Sequence, residues 1–168
     1  MYDDIFNQED MQRLQDILRS NKETITTAES CTGGLIASMI TELSGSSDVF
    51  NGSIVSYSNE VKMSELGVKQ ENLEKDGAVS VSVVEDMLDG VKAKFKAQWA
   101  IAVSGVAGPT GGSQEKPVGT VVIGISIPNA HKIVEVHHFD GNRKEVQIQT
   151  AKISLKKIIN LLEKPLTN

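Results

Sequence analysis

The amino-acid sequence predicts an α/β fold, a three-layer α/β/α sandwich with a mixed central sheet. Helix-like and strand-like patterns alternate through the first two thirds of the chain. Residues 99–104 read as a buried strand, and a β-β hairpin and a long closing helix complete the order. Such an order places helices on both faces of a sheet.

Taken in turn, residues 8–20 form a helix whose apolar face is Met11, Leu14, Ile17 and Leu18, spaced by three and four. Residues 24–28 form a short β-branched strand. A helix over 33–43 turns Leu35, Ile36, Met39, Ile40 and Leu43 inward, and Ser44-Gly45-Ser46-Ser47 breaks it. Residues 51–58 are the next strand, followed by a short helix over 59–66 with Asn59 as its cap and Gly67 as its end. Residues 68–80 read as polar and irregular, and Ser80 or Ser82 caps a helix running to Phe95. After the strand at 99–104 comes a glycine-rich loop over 105–117, strands over 118–127 and 132–139, and a final helix over 142–162.

The 168 residues are of one-domain length, with the core over about 8–163. Hydrophobic residues make up 39% and charged residues 23%, the balance of a globular chain. The formal net charge is -5 and no basic stripe is visible, which argues against nucleic acid as a partner. The only local basic excess is Lys152, Lys156 and Lys157, which reads as a solvated helix face. One cysteine, Cys31, excludes an internal disulfide. No apolar run reaches the ~20 residues that span a bilayer, and the start lacks a signal-peptide pattern, so a cytoplasmic location is expected. His131, His137 and His138 have no cysteine or acidic residue at ligand spacing, so no metal is expected.

Four segments carry chemistry. In Ala28-Glu29-Ser30-Cys31-Thr32-Gly33-Gly34, Ser30 stands at a strand-to-helix turn. On local grounds Ser30 or Thr32 is a helix cap. The alternative is a nucleophile, with Gly33 and Gly34 allowing close approach and the amides at the helix start holding an oxyanion. The G-x-S-x-G pattern is absent. A base is then needed, and lysine serves when burial lowers its pKa. Tyr57 and Lys62 follow the neighbouring strand, at the sheet edge where sites form. The third segment, Ser104-Gly105-Val106-Ala107-Gly108, opens a loop of small residues whose amides suit an anion; neither the dinucleotide fingerprint nor the P-loop ending is present. Fourth, Arg143 opens the last helix, where a cation opposes the helix dipole, and its fork geometry suits phosphate.

These runs, with Tyr57-Ser58-Asn59-Glu60-Val61-Lys62, Gly77-Ala78-Val79-Ser80, Gly105-Val106-Ala107-Gly108-Pro109 and Lys116-Pro117-Val118-Gly119-Thr120, resemble the C-terminal domain of the competence/damage-inducible protein CinA. The resemblance covers residues 14–162 and is closest in type to the stand-alone, PncC-type nicotinamide-nucleotide amidohydrolase. It departs at Ser104, Thr110 and Asp76, where family members often have threonine, glycine and histidine. The resemblance implies deamidation of nicotinamide mononucleotide to nicotinic acid mononucleotide and ammonia, without a cofactor, in pyridine-nucleotide salvage. It implies Ser30 as nucleophile, Lys62 as general base and Tyr57 orienting Lys62 or sharing its proton network, and a homodimer or higher assembly. Thr32, Gly33, Gly34, Ser104, Gly105, Ala107, Gly108 and Arg143 are the expected substrate-binding residues, and Thr32 becomes the expected helix cap. Two alternatives stand beside this: a non-catalytic nucleotide- or partner-binding domain, and a serine-lysine hydrolase of another small amide.

Overall fold

A computed structural model describes residues 1–129 and 131–164. Among them run α1 (Gln8–Asn21), β1 (Ile25–Glu29), α2 (Leu35–Thr41), β2 (Phe50–Val55), α3 (Asn59–Leu66), α4 (Gln70–Asp76), α5 (Val81–Phe95), β3 (Trp99–Gly105), β4 (Thr120–Ser126), β5 (Lys132–His138) and α6 (Arg143–Glu163). The strands form one mixed sheet in the order β2-β1-β3-β4-β5. β1 runs parallel to both β2 and β3, and β3, β4 and β5 are successively antiparallel.

Alternation along the strands sends two different sets of side chains to the two faces. Ile25, Ile101, Val103, Ile123 and Ile125 pack with Leu14, Leu18, Ile36, Ile40, Leu155 and Ile158 of α1, α2 and α6. Ala28, Ala100, Ala102 and Val122 pack with Val84, Met87, Leu88 and Val91 of α5. This is the expected sandwich of helices on both faces. The α5 face is built from small residues, so the helix lies close to the sheet. A Cβ on Gly124 would stand 2.6 Å from Val84 Cγ1 and 2.8 Å from Leu88 Cδ1.

The element order also decides where a site can form. The chain leaves β1 through α2 on one face to reach β2. It returns through α3, α4 and α5, the last of these on the opposite face, to β3 on the other side of β1. Connections that part in this way leave a crevice beyond the carboxyl ends of the strands. Ser30, Ser56 and Gly105 all stand at that edge.

One close contact joins α5 to the end of α3. A Cβ on Gly90 of α5 would lie 1.9 Å from the backbone oxygen of Leu66 at the end of α3. No rotamer change relieves a clash with backbone, so Gly90→Ala is expected to cost about 3 kcal/mol, the upper end of overpacking penalties. Urea unfolding checks it; an unchanged midpoint would mean that α3 shifts freely.

The structure corrects several sequence expectations. The stretch read as irregular contains α4, a polar helix with no buried residue, which hydrophobic periodicity cannot reveal. The cap of α3 is Ser58, whose side chain accepts from the Val61 amide, not Asn59. Ser80 caps α5, while Ser82 donates to Asp76. The second helix begins at Leu35 rather than at residue 33. Lys152 is no solvated cation: it is buried, and its amine donates to Asp3 and to the Phe6 carbonyl, tying down the amino-terminal segment.

Candidate active site

The turn after β1 is fixed by backbone hydrogen bonds. The Ser30 amide donates to Val103 O (3.2 Å), the Gly33 amide to Ser30 O (3.0 Å) and the Leu35 amide to Thr32 O (3.1 Å). Gly33 and Gly34 have φ of +62° and +103°, in the left-handed region that glycine enters without a Cβ penalty. A Cβ on Gly33 would meet nothing within 4 Å. The pair is therefore there to bend the chain, and neither glycine lines the cavity described below.

Thr32 does not cap α2. Its hydroxyl donates to Glu29 Oε1 at 2.6 Å, and Glu29 performs the capping, accepting from the amides of Ile36 and Ala37 at 2.9 Å each. The first amides of α2 are thus occupied, which leaves the stretch from Cys31 to Gly34 as the part of the expected oxyanion donors that is still open. Within the turn, the amides of Cys31, Thr32 and Gly34 donate to no backbone carbonyl among the described residues.

Lys62 lies in the first turns of α3 and folds back under the sheet edge, where it is only 1% exposed. Its Nζ stands 3.0 Å from Ser30 Oγ and donates to the Ser56 carbonyl at 2.6 Å. Both neighbours are uncharged, so no ion pair offsets the cost of burying an ammonium. Burial pushes the Lys62 pKa below the ordinary lysine value. The neutral amine has one lone pair, and with Ser56 taking an N–H, that pair can accept the Ser30 proton. The adjacent Cys31 is no rival nucleophile, since burial pushes its thiol up to about 12.

Proximity of lysine and serine is not sufficient by itself. Lys92 Nζ lies 3.1 Å from Ser126 Oγ and donates to Ile127 O at 2.6 Å, nearly the same arrangement at the other end of the sheet. Neither Lys92 nor Ser126 lines any described cavity. Ser30 and Lys62 line one of about 330 Å³.

That cavity also receives Tyr57, Ser104, Gly105, Ala107, Gly108 and Arg143, as the sequence reading expected. Arg143 is the first residue of α6, whose cap is Asn142. Its guanidinium donates to Gly108 O at 2.8 Å and to the Tyr57 hydroxyl at 2.7 Å. Tyr57 is 63% exposed and meets Arg143 rather than Lys62, so in this structure it does not orient the lysine. Both contacts of Arg143 are to neutral oxygens, which leaves its positive charge uncompensated at the cavity wall.

Sequence reasoning missed other residues here. Asn59, Ala78 and Val79 line the cavity; the run from Gly77 to Ser80 had been noticed but had no assigned role. Gln147, on α6, donates to Cys31 O at 2.9 Å and braces the turn from outside. Nothing in the sequence signals a contact across 116 positions. A neighbouring groove of about 480 Å³ shares Val79 and holds Lys116, Asp76 and His138, but no serine-lysine pair. Among the described residues no three His, Cys, Asp or Glu side chains stand together as metal ligands, and no helix is long and apolar enough to cross a membrane.

Sheet order and site together define an α/β sandwich with a buried serine-lysine pair at the carboxyl edge of its parallel strands. The chain belongs to the CinA C-terminal domain family, whose model matches residues 7–162. It is 53% identical over 138 residues to a CinA-like protein of Prochlorococcus marinus (strain MIT 9215), a match covering 82% of this chain and 32% of that protein. The chain thus spans about a third of the length of the curated relatives it matches. Two solved structures are also similar. The competence/damage inducible protein CihA from Agrobacterium tumefaciens is 38% identical, with a TM-score of 0.87, over 91% of this chain and 93% of that one. The competence damage-inducible protein A (ComA) from Klebsiella pneumoniae subsp. pneumoniae MGH 78578 is 30% identical, with a TM-score of 0.89, over 94% and 98%.

Proposed function

We propose that this chain is an amidohydrolase that deamidates nicotinamide mononucleotide by a serine-lysine mechanism, as part of pyridine-nucleotide salvage. The observation that carries the reading is the 3.0 Å approach of a buried, uncompensated Lys62 amine to Ser30 Oγ inside a cavity edged by Arg143.

The reaction follows from those positions. Lys62 accepts the Ser30 proton as Oγ bonds to the carboxamide carbon. The carbonyl oxygen becomes negative, and the amides of Cys31 and Thr32, which donate to no backbone carbonyl, are available to it. The C–N bond then breaks, and the proton on Lys62 passes to nitrogen so that ammonia leaves. Water attacks the acyl carbon, gives its proton to Lys62, and the ester C–O bond breaks. Oγ recovers its proton and nicotinic acid mononucleotide is released.

The nucleotide's phosphate matches Arg143. A guanidinium held by two neutral oxygens gains a charge-assisted, bidentate contact when phosphate arrives. Gly108 and its loop neighbours would pack beside it. Arg143→Ala is accordingly expected to raise KM for the nucleotide roughly 10- to 100-fold, the equivalent of one charge-assisted hydrogen bond of about 1.5–3 kcal/mol. Steady-state kinetics with the nucleotide check it.

The direct experiment is to incubate purified protein with nicotinamide mononucleotide, without added metal, and to measure ammonia and the acid product. Ammonia release from the nucleotide, at a rate well above that from free nicotinamide, is the expected result. No release would sink the reading. Equal rates on both compounds would remove the phosphate site from it.

A further inference from the structure

We infer that Glu29 is the positioning residue of this site, holding both members of the serine-lysine pair in register. The inference rests on Ser30 being the nucleophile.

Glu29 is the last residue of β1 and is 0% exposed. Its Oε1 accepts from the Thr32 hydroxyl (2.6 Å) and the Ile36 amide (2.9 Å). Its Oε2 accepts from the Thr27 hydroxyl (3.1 Å) and the Ala37 amide (2.9 Å). All four partners are donors, and only the carboxylate offers acceptors to all of them. Thr32 and Ile36 lie beyond the turn, so the side chain ties the far end of the Ser30–Gly34 loop back to the strand. A carboxylate at a helix start also complements the dipole of α2.

The backbone of the same residue governs the base. Glu29 O accepts from the Ser56 amide at 2.7 Å, and Ser56 O in turn accepts from Lys62 Nζ at 2.6 Å. One residue thus places Ser30 through its side chain and Lys62 through its carbonyl. Added to the backbone bonds of the turn, these two constraints connect one residue to both ends of the 3.0 Å contact between Nζ and Oγ. A carboxylate sealed from solvent under the turn does not reach the reacting atoms; its burial is costly unless its acceptors are filled, and the four donors that fill them hold it rigidly in place.

The test uses the 168-residue chain and a reagent that does not depend on the natural substrate. A fluorophosphonate reacts when Ser30 Oγ bonds to phosphorus, fluoride departs and Lys62 takes the proton. Its inactivation rate and apparent affinity are followed by intact mass, with peptide mapping to locate the label. In Glu29→Gln the amide turns an N–H toward one of the two donor pairs. The limiting rate is expected to fall about 100-fold, the cost of a misplacement on the order of 1 Å, with apparent affinity unchanged. Thr27→Val deletes a donor from the strand side and leaves the turn tied, so it is expected to lower the melting temperature while labelling stays within about threefold of wild type. Thr32→Val provides the answer if Glu29→Gln does not fold, with an expected loss of roughly 10-fold.

Labelling of a folded Glu29→Gln within threefold of wild type overturns the inference, as does an equal fall in Thr27→Val. If Glu29→Gln does not fold, a Thr32→Val rate within threefold of wild type does the same. Wild-type protein that never labels at Ser30 overturns the nucleophile and this inference together. Wild type that labels at Ser30 but releases no ammonia from nicotinamide mononucleotide removes only the substrate.

Discussion

Lys62→Met is expected to lower turnover about 10³-fold while leaving KM near its wild-type value, because general-base catalysis is worth roughly 10²–10⁴ and the amine points at Ser30 rather than into the substrate's binding groups. Methionine fills nearly the same volume without a charge. The wild-type lysine is almost fully buried with only neutral oxygens as neighbours, an arrangement that destabilises the fold when the amine is protonated. The variant is therefore expected to melt no lower than wild type at neutral pH. A variant that loses activity and keeps or gains stability separates a catalytic lysine from a structural one. Unchanged turnover would refute the assignment of base.

The same burial sets a pH signature. The folded-state pKa of Lys62 is pushed down, so between it and the unfolded value of about 10.4 the unfolded chain binds more protons than the folded one. Stability attributable to Lys62 thus rises as pH rises through that window, and is lost as pH falls through the folded pKa. Activity moves in the same sense, since only the neutral amine accepts the serine proton. Lys92 is shifted down by burial as well and contributes a parallel slope. Subtracting the Lys62→Met profile from that of wild type removes the Lys92 part and leaves the Lys62 part.

The fold was largely legible because its signals are local and strong. Leu14 and Leu18 repeat at helical spacing and are fully buried, and the apolar run of β4 is buried throughout. α4 was invisible for the opposite reason, since it buries no residue fully and turns only Leu73 to the core, too little for a periodic signal. In the site, Ser30 and Lys62 were legible because each follows a strand in a recognisable run. Their partners were not. Glu29 stands just past the strand expected over 24–28 and has no assigned role there, since a 0% exposed carboxylate is known only once the donors around it are assembled from Thr27, Thr32, Ile36 and Ala37. For Tyr57 the resemblance implies the orienting of Lys62, and its hydroxyl meets Arg143 instead. In a strand-loop-helix connection, the direction of a side chain decides, and Tyr57 points outward to a residue 86 positions away. Thr32 was assigned as a cap by rule of residue type, and a longer-range carboxylate had already taken that place.

Ser30→Ala is expected to reduce turnover by at least about 10⁴-fold, because the covalent route is removed and only binding and the amide donors of the turn remain. The substitution removes one side-chain contact, the one to Lys62, and leaves that amine bonded to Ser56 O. The fold should hold, and the substrate should still bind with near-wild-type affinity, measurable by calorimetry without turnover. The decisive measurement is the double variant with Lys62→Met. If Ser30 and Lys62 act as one device, removing the second member from a chain that lacks the first costs almost nothing more, since a base without a nucleophile has no proton to take. Losses of 10³ and 10⁴ that instead multiplied toward about 10⁷ would mean two independent contributions, with Lys62 acting on the substrate directly rather than through Ser30. The 3.0 Å contact between Nζ and Oγ, shielded from solvent and unshared with any carboxylate, favours the first outcome.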